Sequence, residues 1–336
     1  MRAPAFWSAP RPSLAARALA PIGAIVGGVT ARRMRETGVR AALPVVCVGN
    51  FTVGGTGKTP VALALADLLA GAGERPVFLS RGHGARVAQP TRVHPDTHGA
   101  AEVGDEPLLL ARVRPTIVSP DRPAGAALAA ATSGASVIVM DDGLQNPSLL
   151  KDCTIAVVDG ETGIGNGLCL PAGPLRAPLA GQLGHVHAVV TMGDGPGGAA
   201  VASAARARGL PVFAALLAPD EAAAAQLAGA RVLAFAGIGR PEKLFATLRA
   251  IGAEVVEAVP LPDHHAYAPG EAQALVERAR AAGLLAVTTT KDAVKTGPIA
   301  GLAVLPVAAR FANASGLLAL VMRRIEAARR AGEPGA

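Results

Sequence analysis

Short apolar runs alternate with longer alanine- and leucine-rich stretches from residue 44 onward. Residues 44–48 predict a buried strand and 60–69 a helix. Residues 76–79 and 116–118 predict strands, 124–131 a helix, and 137–140 a strand that runs into two aspartates. This alternation predicts a parallel sheet with helices on both faces. The second half repeats it, with strands expected at 188–191, 211–215, 232–236, 254–258, 286–289 and 303–307. Over 241–251, Leu244, Phe245, Leu248 and Ile251 recur at helical spacing, with Pro241 at the start and Gly252 after the end. So many strands are a lot for one sheet, so a second, smaller α/β lobe is expected. The division is 1–40 as an N-terminal segment, 41–150 as the first core and 151–312 as the second lobe. An amphipathic helix with a basic end, 313–330, returns to the first core.

The first 40 residues follow another pattern. Residues 18–31 carry no charge, and Arg32, Arg33 and Arg35 follow. The stretch is shorter than the ~20 apolar residues that cross a bilayer comfortably, and Pro21, Gly23, Gly27 and Gly28 interrupt it. A secretory leader would have its cleavage site before the basic cluster, and nothing downstream looks secreted. Two readings stand side by side: a helix on the membrane surface with arginines at anionic headgroups, or an ordinary buried helix. Phe6 and Trp7 add weight to the first, since Trp favours the interface.

Composition narrows the classes. Apolar types make up 51% and charged types 17% of 336 residues, a globular rather than a disordered balance. With 3% aromatics, packing rests on small aliphatic side chains. The net charge of +7 suits an anionic partner. The basic residues are scattered without interleaved aromatics, so no nucleic-acid surface is expected, and no obligate protein partner is evident. Cys47, Cys153 and Cys169 lack metal-ligand or disulfide spacing and read as small buried hydrophobes in a reducing compartment.

The strongest local signal is the run from Val45 to Pro60. A hydrophobic strand enters Thr52-Val53-Gly54-Gly55-Thr56-Gly57, and Lys58-Thr59 open a helix. This is the strand, turn and helix context of a phosphate loop: backbone N–H groups curl around phosphate oxygens and the helix N-terminus adds a favourable dipole. Lys58 is expected at the β- and γ-phosphates of ATP, and the Thr59 hydroxyl on Mg²⁺. The generic motif begins with Gly where this chain has Thr52. A matching metal motif, an apolar strand ending in carboxylates, is supplied by Asp141 and Asp142, although a turn aspartate after a strand is common. Together they predict an α/β fold built on a P-loop NTPase-like parallel sheet.

Such a protein could be a nucleotide switch or a kinase. A guanine-specific clamp separates its Lys and Asp, whereas Lys291 and Asp292 are adjacent; residues 289–295 read as a charged loop at a strand end. Several further runs occur in an order that identifies a family. They are Leu79-Ser80-Arg81-Gly82, Gly104-Asp105-Glu106-Pro107, Asp121-Arg122, Asp141-Asp142-Gly143-Leu144-Gln145, Gly165-Asn166-Gly167, Leu170 through Arg176, Ala236 through Pro241 and Asp263-His264-His265. With the phosphate loop, this ordered set resembles the tetraacyldisaccharide 4'-kinase family along nearly the whole chain. The resemblance implies transfer of the ATP γ-phosphoryl group to the 4'-hydroxyl of an acylated glucosamine disaccharide 1-phosphate, giving lipid IVA in lipid A synthesis. It also implies a monotopic or peripheral protein on the cytoplasmic face of the bacterial inner membrane. It gives Asp105 the role of base, assisted by His264 from the second lobe; read alone, Asp105 looks like a helix N-cap and His264 like a loop histidine. Arg81, Arg122 and Arg176 are candidates for anion contacts, each equally readable as a surface or ion-paired arginine, and Gln145 is a candidate for orienting substrate by resemblance only. The alternative is a membrane-associated nucleotide switch acting by partner binding.

Overall fold

A computed structural model describes residues 4–332 apart from 83 and 133. Among the described residues, thirteen strands fall into two sheets. In chain order they are β1 (Val45–Gly49), β2 (Pro76–Ser80), β3 (Thr91–Arg92), β4 (Thr116–Val118), β5 (Val137–Asp141), β6 (Cys153–Asp159), β7 (Ala188–Met192), β8 (Val212–Pro219), β9 (Arg231–Ala236), β10 (Glu254–Pro260), β11 (Leu285–Thr289), β12 (Leu302–Leu305) and β13 (Val307–Phe311). The large sheet has the order β13-β8-β7-β6-β1-β5-β2-β4-β3, parallel except at its two edges, where β13 and β3 run antiparallel to their neighbours. The small sheet, β10-β9-β11-β12, is parallel throughout.

The central strands are apolar on both faces because both faces are covered. All five residues of β1 and of β5 are buried. One face packs against helix Lys58–Gly71 through Val61, Leu65 and Leu69, and against helix Ala314–Gly332 through Leu317, Val321 and Ile325. The C-terminal helix therefore closes the large lobe. Arg329 fixes its end, donating to both carboxylate oxygens of Glu74 at 2.9 and 2.7 Å.

The lobe boundary differs from the expected one. β6, β7 and β8 extend the large sheet beyond the phosphate-loop strand, so the small lobe starts only at helix Glu221–Leu227 and ends with β12. Periodicity identifies strands but not which sheet they join; β6 joins this one because it pairs directly with β1, Val46 opposite Cys153. The expected strand at 303–307 is two elements, β12 in the small sheet and β13 in the large one, with Pro306 between them.

Helix Leu14–Arg33 is 20 residues long, starting upstream of Arg17, so by length and composition it could cross a bilayer. One stripe of it is docked. A Cβ at Gly23 would lie 2.6 Å from the Cys169 carbonyl oxygen, and one at Gly27 would lie 2.5 Å from Cys169 Sγ. The remaining faces present Leu14, Ile22, Ile25 and Val29 to the exterior, each more than half exposed. Gly27→Leu is expected to unseat the helix and destabilise the protein by roughly 1–3 kcal/mol, the usual cost of forcing bulk into a packed contact. Gly28→Leu, with nothing within 4 Å of its Cβ position, leaves stability unchanged. Thermal unfolding of the two variants in detergent separates these outcomes.

Candidate active site

β1 lies where the chain order of the sheet reverses, between β6 and β5, and its C-terminal end opens the crevice in which such sheets bind ligands. The glycine-rich turn leaves it there. Gly57 has φ +88° and abuts Met192, so both backbone geometry and space favour glycine immediately before Lys58. Asn50 ties the turn's entry to its exit, its Nδ2 donating to Thr56 Oγ1 at 3.2 Å. Thr52 replaces the usual first glycine at a point where the backbone forms an isolated antiparallel bridge to Leu175. That extended geometry suits any residue, and the next amide, Val53 N–H, donates to Pro174 O at 2.9 Å. Thr52, Val53, Gly54, Gly55, Thr56, Gly57, Lys58 and Thr59 thus form one continuous cradle leading into the helix.

β5 runs beside β1, with Val48 opposite Asp141. This register brings Thr59 Oγ1 to 3.3 Å from Asp141 Oδ2, a hydrogen bond it donates. Asp142 follows in the left-handed region, φ 55°, strained for a non-glycine residue. Its Oδ2 lies 3.0 Å from Arg176 Nη2 and 3.7 Å from Lys58 Nζ. Burial and the nearby Glu106 carboxylate push Asp141 up to about 7. Burial also acts to raise Asp142, but Lys58 and Arg176 outweigh it and hold Asp142 below the usual carboxylate range.

Asp141 Oδ1 and Asp142 Oδ1 are buried without a hydrogen-bond partner. Unpaired carboxylate oxygens beside a threonine hydroxyl fit a hard divalent cation. Among the described residues no group of three or more His, Cys, Asp or Glu could hold a metal by itself. Mg²⁺ is such a cation, taking one or two protein oxygens and completing its shell from phosphates and water.

The remaining predicted residues divide. Arg176 donates from Nε to Thr52 O at 3.1 Å as well as pairing with Asp142, bracing the loop against the metal strand. Gln145 donates to Asn50 O at 2.7 Å and accepts from Arg176 Nη1 at 3.4 Å, so it too braces the loop. Arg81 is exposed and lines a pocket of about 320 Å³. Arg122 differs from expectation. It is 2% exposed and donates to the main-chain oxygens of Ser119 at 3.3 Å and Asp142 at 3.4 Å. Its guanidinium turns inward, to the carbonyl of the strained Asp142 peptide.

Across the crevice, Asp105 begins helix Asp105–Ala111 and is 8% exposed. His264, on the small-lobe loop after β10, is also left-handed, φ 54°, which turns its ring toward the large lobe. His264 Nδ1 and Asp105 Oδ2 are 3.0 Å apart. Burial acts to raise Asp105, but the His264 hydrogen bond and the Lys291 charge overcome it and take Asp105 down to about 2. The same hydrogen bond raises His264 above its ordinary value despite partial burial. His265 turns away to Glu271 Oε1 at 2.8 Å. Three residues that carried no assigned role in the sequence belong here: Glu106, whose charge reaches Asp141; Lys291, which meets Asp105 and Glu106; and Asn50, which pins the loop. Glu106 and Lys291 both stood in charged runs, but only the fold brings those runs together.

A glycine-rich turn at a parallel-sheet switch point, a threonine hydroxyl and two carboxylates at the end of the neighbouring strand, and an Asp–His pair joining the two lobes suit a P-loop phosphotransferase. The family described as Tetraacyldisaccharide-1-P 4'-kinase matches residues 15–326, and the chain belongs to that family. The tetraacyldisaccharide 4'-kinase of Methylobacterium nodulans is 59% identical over 313 residues, covering 93% of each chain. That of Bradyrhizobium sp. (strain ORS 278) is 49% identical, covering 98% of this chain and 99% of its own. A crystal structure of LpxK from Aquifex aeolicus in complex with ATP superposes with a TM-score of 0.73 at 25% identity, covering 92% of this chain and 99% of that one.

Proposed function

We propose that this protein transfers the γ-phosphoryl group of ATP to the 4'-hydroxyl of a tetraacyldisaccharide 1-phosphate, the step that forms lipid IVA in lipid A biosynthesis. The observation that carries the reading is the Asp105–His264 pair, built by two lobes beside Glu106, whose charge reaches Asp141. A sugar hydroxyl is a poor nucleophile and must lose its proton as the phosphoryl group arrives. The pair takes that proton as a unit, Asp105 orienting the imidazole and His264 being the more basic member. Lys58 and the loop amides hold the phosphates in line and offset charge on the phosphoryl oxygens. Thr59 and Asp141, with Asp142 beside them, are the residues for Mg²⁺, which when bound neutralises charge on the transferring phosphoryl group.

The acylated substrate also favours a site beside lipid. The apolar faces of helix Leu14–Arg33 and the arginines at its end, Arg32 and Arg33, with Arg35 beyond, suit docking on an anionic membrane surface. The reading assigns the protein to the cytoplasmic face, where ATP is found.

The test is to incubate the protein with γ-labelled ATP, Mg²⁺ and the acylated disaccharide 1-phosphate in mixed micelles. Label is expected on the 4'-oxygen of the lipid. Label recovered only as inorganic phosphate would overturn the kinase reading and favour a nucleotide switch.

A further inference from the structure

Residues 289–295, expected as a charged loop, form the last residue of β11 and most of helix Thr290–Thr296. The helix is anchored in the small lobe by Asp292, which is 0% exposed. Its Oδ2 accepts from Gly237 N–H at 3.0 Å and Thr289 Oγ1–H at 2.7 Å, and its Oδ1 pairs with Lys295 at 2.8 Å. Lys295 stays within that lobe, 5.5 Å over the Tyr267 ring. Lys291, one helix turn earlier, crosses to the large lobe instead. Its Nζ lies 3.2 Å from Glu106 Oε1 and 3.8 Å from Asp105 Oδ2, the oxygen that also meets His264.

Resting on the kinase reading above, we infer that Lys291 is a positioning residue for phosphoryl transfer: its ammonium, delivered by the small lobe, holds the adjacent carboxylates of Asp105 and Glu106 apart in function, one for the imidazole and one for itself. Asp105 and Glu106 stand on the first turn of one helix and face a crevice that already contains Asp141 and Asp142. On the large lobe, Lys58 and Arg176 are both engaged by Asp142. Among the described residues, Lys291 is the lysine or arginine that pairs with Asp105. Docking of the small lobe then brings His264 and its electrostatic support in the same movement.

A purely packing role for Lys291 would affect rate alone. A positioning role also moves a pH profile. The charged and titratable groups facing the pair are Lys291, Lys295 and Glu106 around Asp105, and Asp263 beside His264. The Lys291 charge favours ionised Asp105 and disfavours protonated His264, so it keeps both members in their proton-accepting forms. Loss of that charge raises both. The acidic limb of kcat/KM therefore moves to higher pH whichever member holds the arriving proton. An opposite charge at this range shifts a carboxylate by ~1–3 pH units, and for a lysine 22% exposed the lower end applies, about one unit.

The experiment is steady-state kinetics on the full-length protein with ATP, Mg²⁺ and the acylated disaccharide 1-phosphate. The variants are Lys291→Met, Lys291→Gln, Lys291→Arg and Asp105→Ala, each with nucleotide affinity measured by calorimetry. Both neutral variants are expected to lose roughly 30-fold in kcat, keep ATP affinity within about threefold, and show the limb raised by about one pH unit. Lys291→Arg restores the limb and most of the rate. Parental rate and limb in the neutral variants overturn the inference, as does a rate loss with an unmoved limb. Normal turnover in Asp105→Ala instead overturns the base assignment, so the two failures are read separately.

Discussion

Lys58→Met is expected to leave a folded protein that transfers phosphate on the order of 10³-fold more slowly and binds ATP more weakly. The side chain is 11% exposed and opens helix Lys58–Gly71, where packing on the cradle fixes its direction. Its charge is balanced by Asp142 Oδ2 at 3.7 Å, and the kinase reading sends it to the nucleotide phosphates. Methionine keeps the length and the helix but removes the Lys58 charge at the end of the loop. Asp142 keeps Arg176 at 3.0 Å, so the metal strand does not collapse and the loss falls on transfer and binding. Lys58→Arg is not expected to rescue, because a planar guanidinium does not replace a compact ammonium at a site walled by Gly57 and Thr59. Label transfer with calorimetric ATP binding checks both parts; a parental rate in Lys58→Met would refute the role of the cradle.

Much of this site was legible because its chemistry is local. A strand, a glycine-rich turn and Lys-Thr at a helix start are consecutive residues, and β5 announces itself as an apolar run ending in Asp141-Asp142. The structure adds what spacing does not contain. Asp105 and His264 are 159 residues apart, and only the docking of the small lobe brings them into hydrogen-bond range. Family resemblance suggested the pair; local reading made one a helix cap and the other a loop residue. Arg122 shows the converse. In sequence it reads equally as an anion contact, a surface arginine or an ion-paired one, and packing directs the guanidinium inward to the Asp142 carbonyl.

The fold was legible in kind but not in partition. β6 went unpredicted although Cys153 through Val158 is largely apolar, with only Thr154 breaking the run. Without it, the strands after residue 150 had no link to β1, and they were grouped into the second lobe. Lys291 was hidden for a related reason. A charged run after a strand reads as solvated surface until a second lobe is known to pack on it, and here that surface closes over Asp105.

Asp105→Ala is expected to bind ATP normally, since no hydrogen bond or ion pair joins Asp105 to the cradle among the described residues, and to lose 10²–10⁴-fold in turnover. His264→Ala should lose a similar amount, and the double variant little more, because the two act as one unit and removing either removes the function of both. The pH dependence carries a sign. In the parent, His264 titrates above its ordinary ~6.5, chiefly through the Asp105 hydrogen bond, so kcat/KM falls as pH drops through that raised value and the imidazole gains its proton. Asp105→Asn removes the negative partner and leaves burial and Lys291, which oppose protonation and outweigh the Asp263 charge that favours it. Its residual activity should therefore persist to lower pH than the parent's, the opposite direction to Lys291→Met. Two substitutions on either side of the same imidazole moving one limb in opposite directions is a result that general loss of structure does not produce. Limbs that move together, or not at all, would separate His264 from the proton transfer.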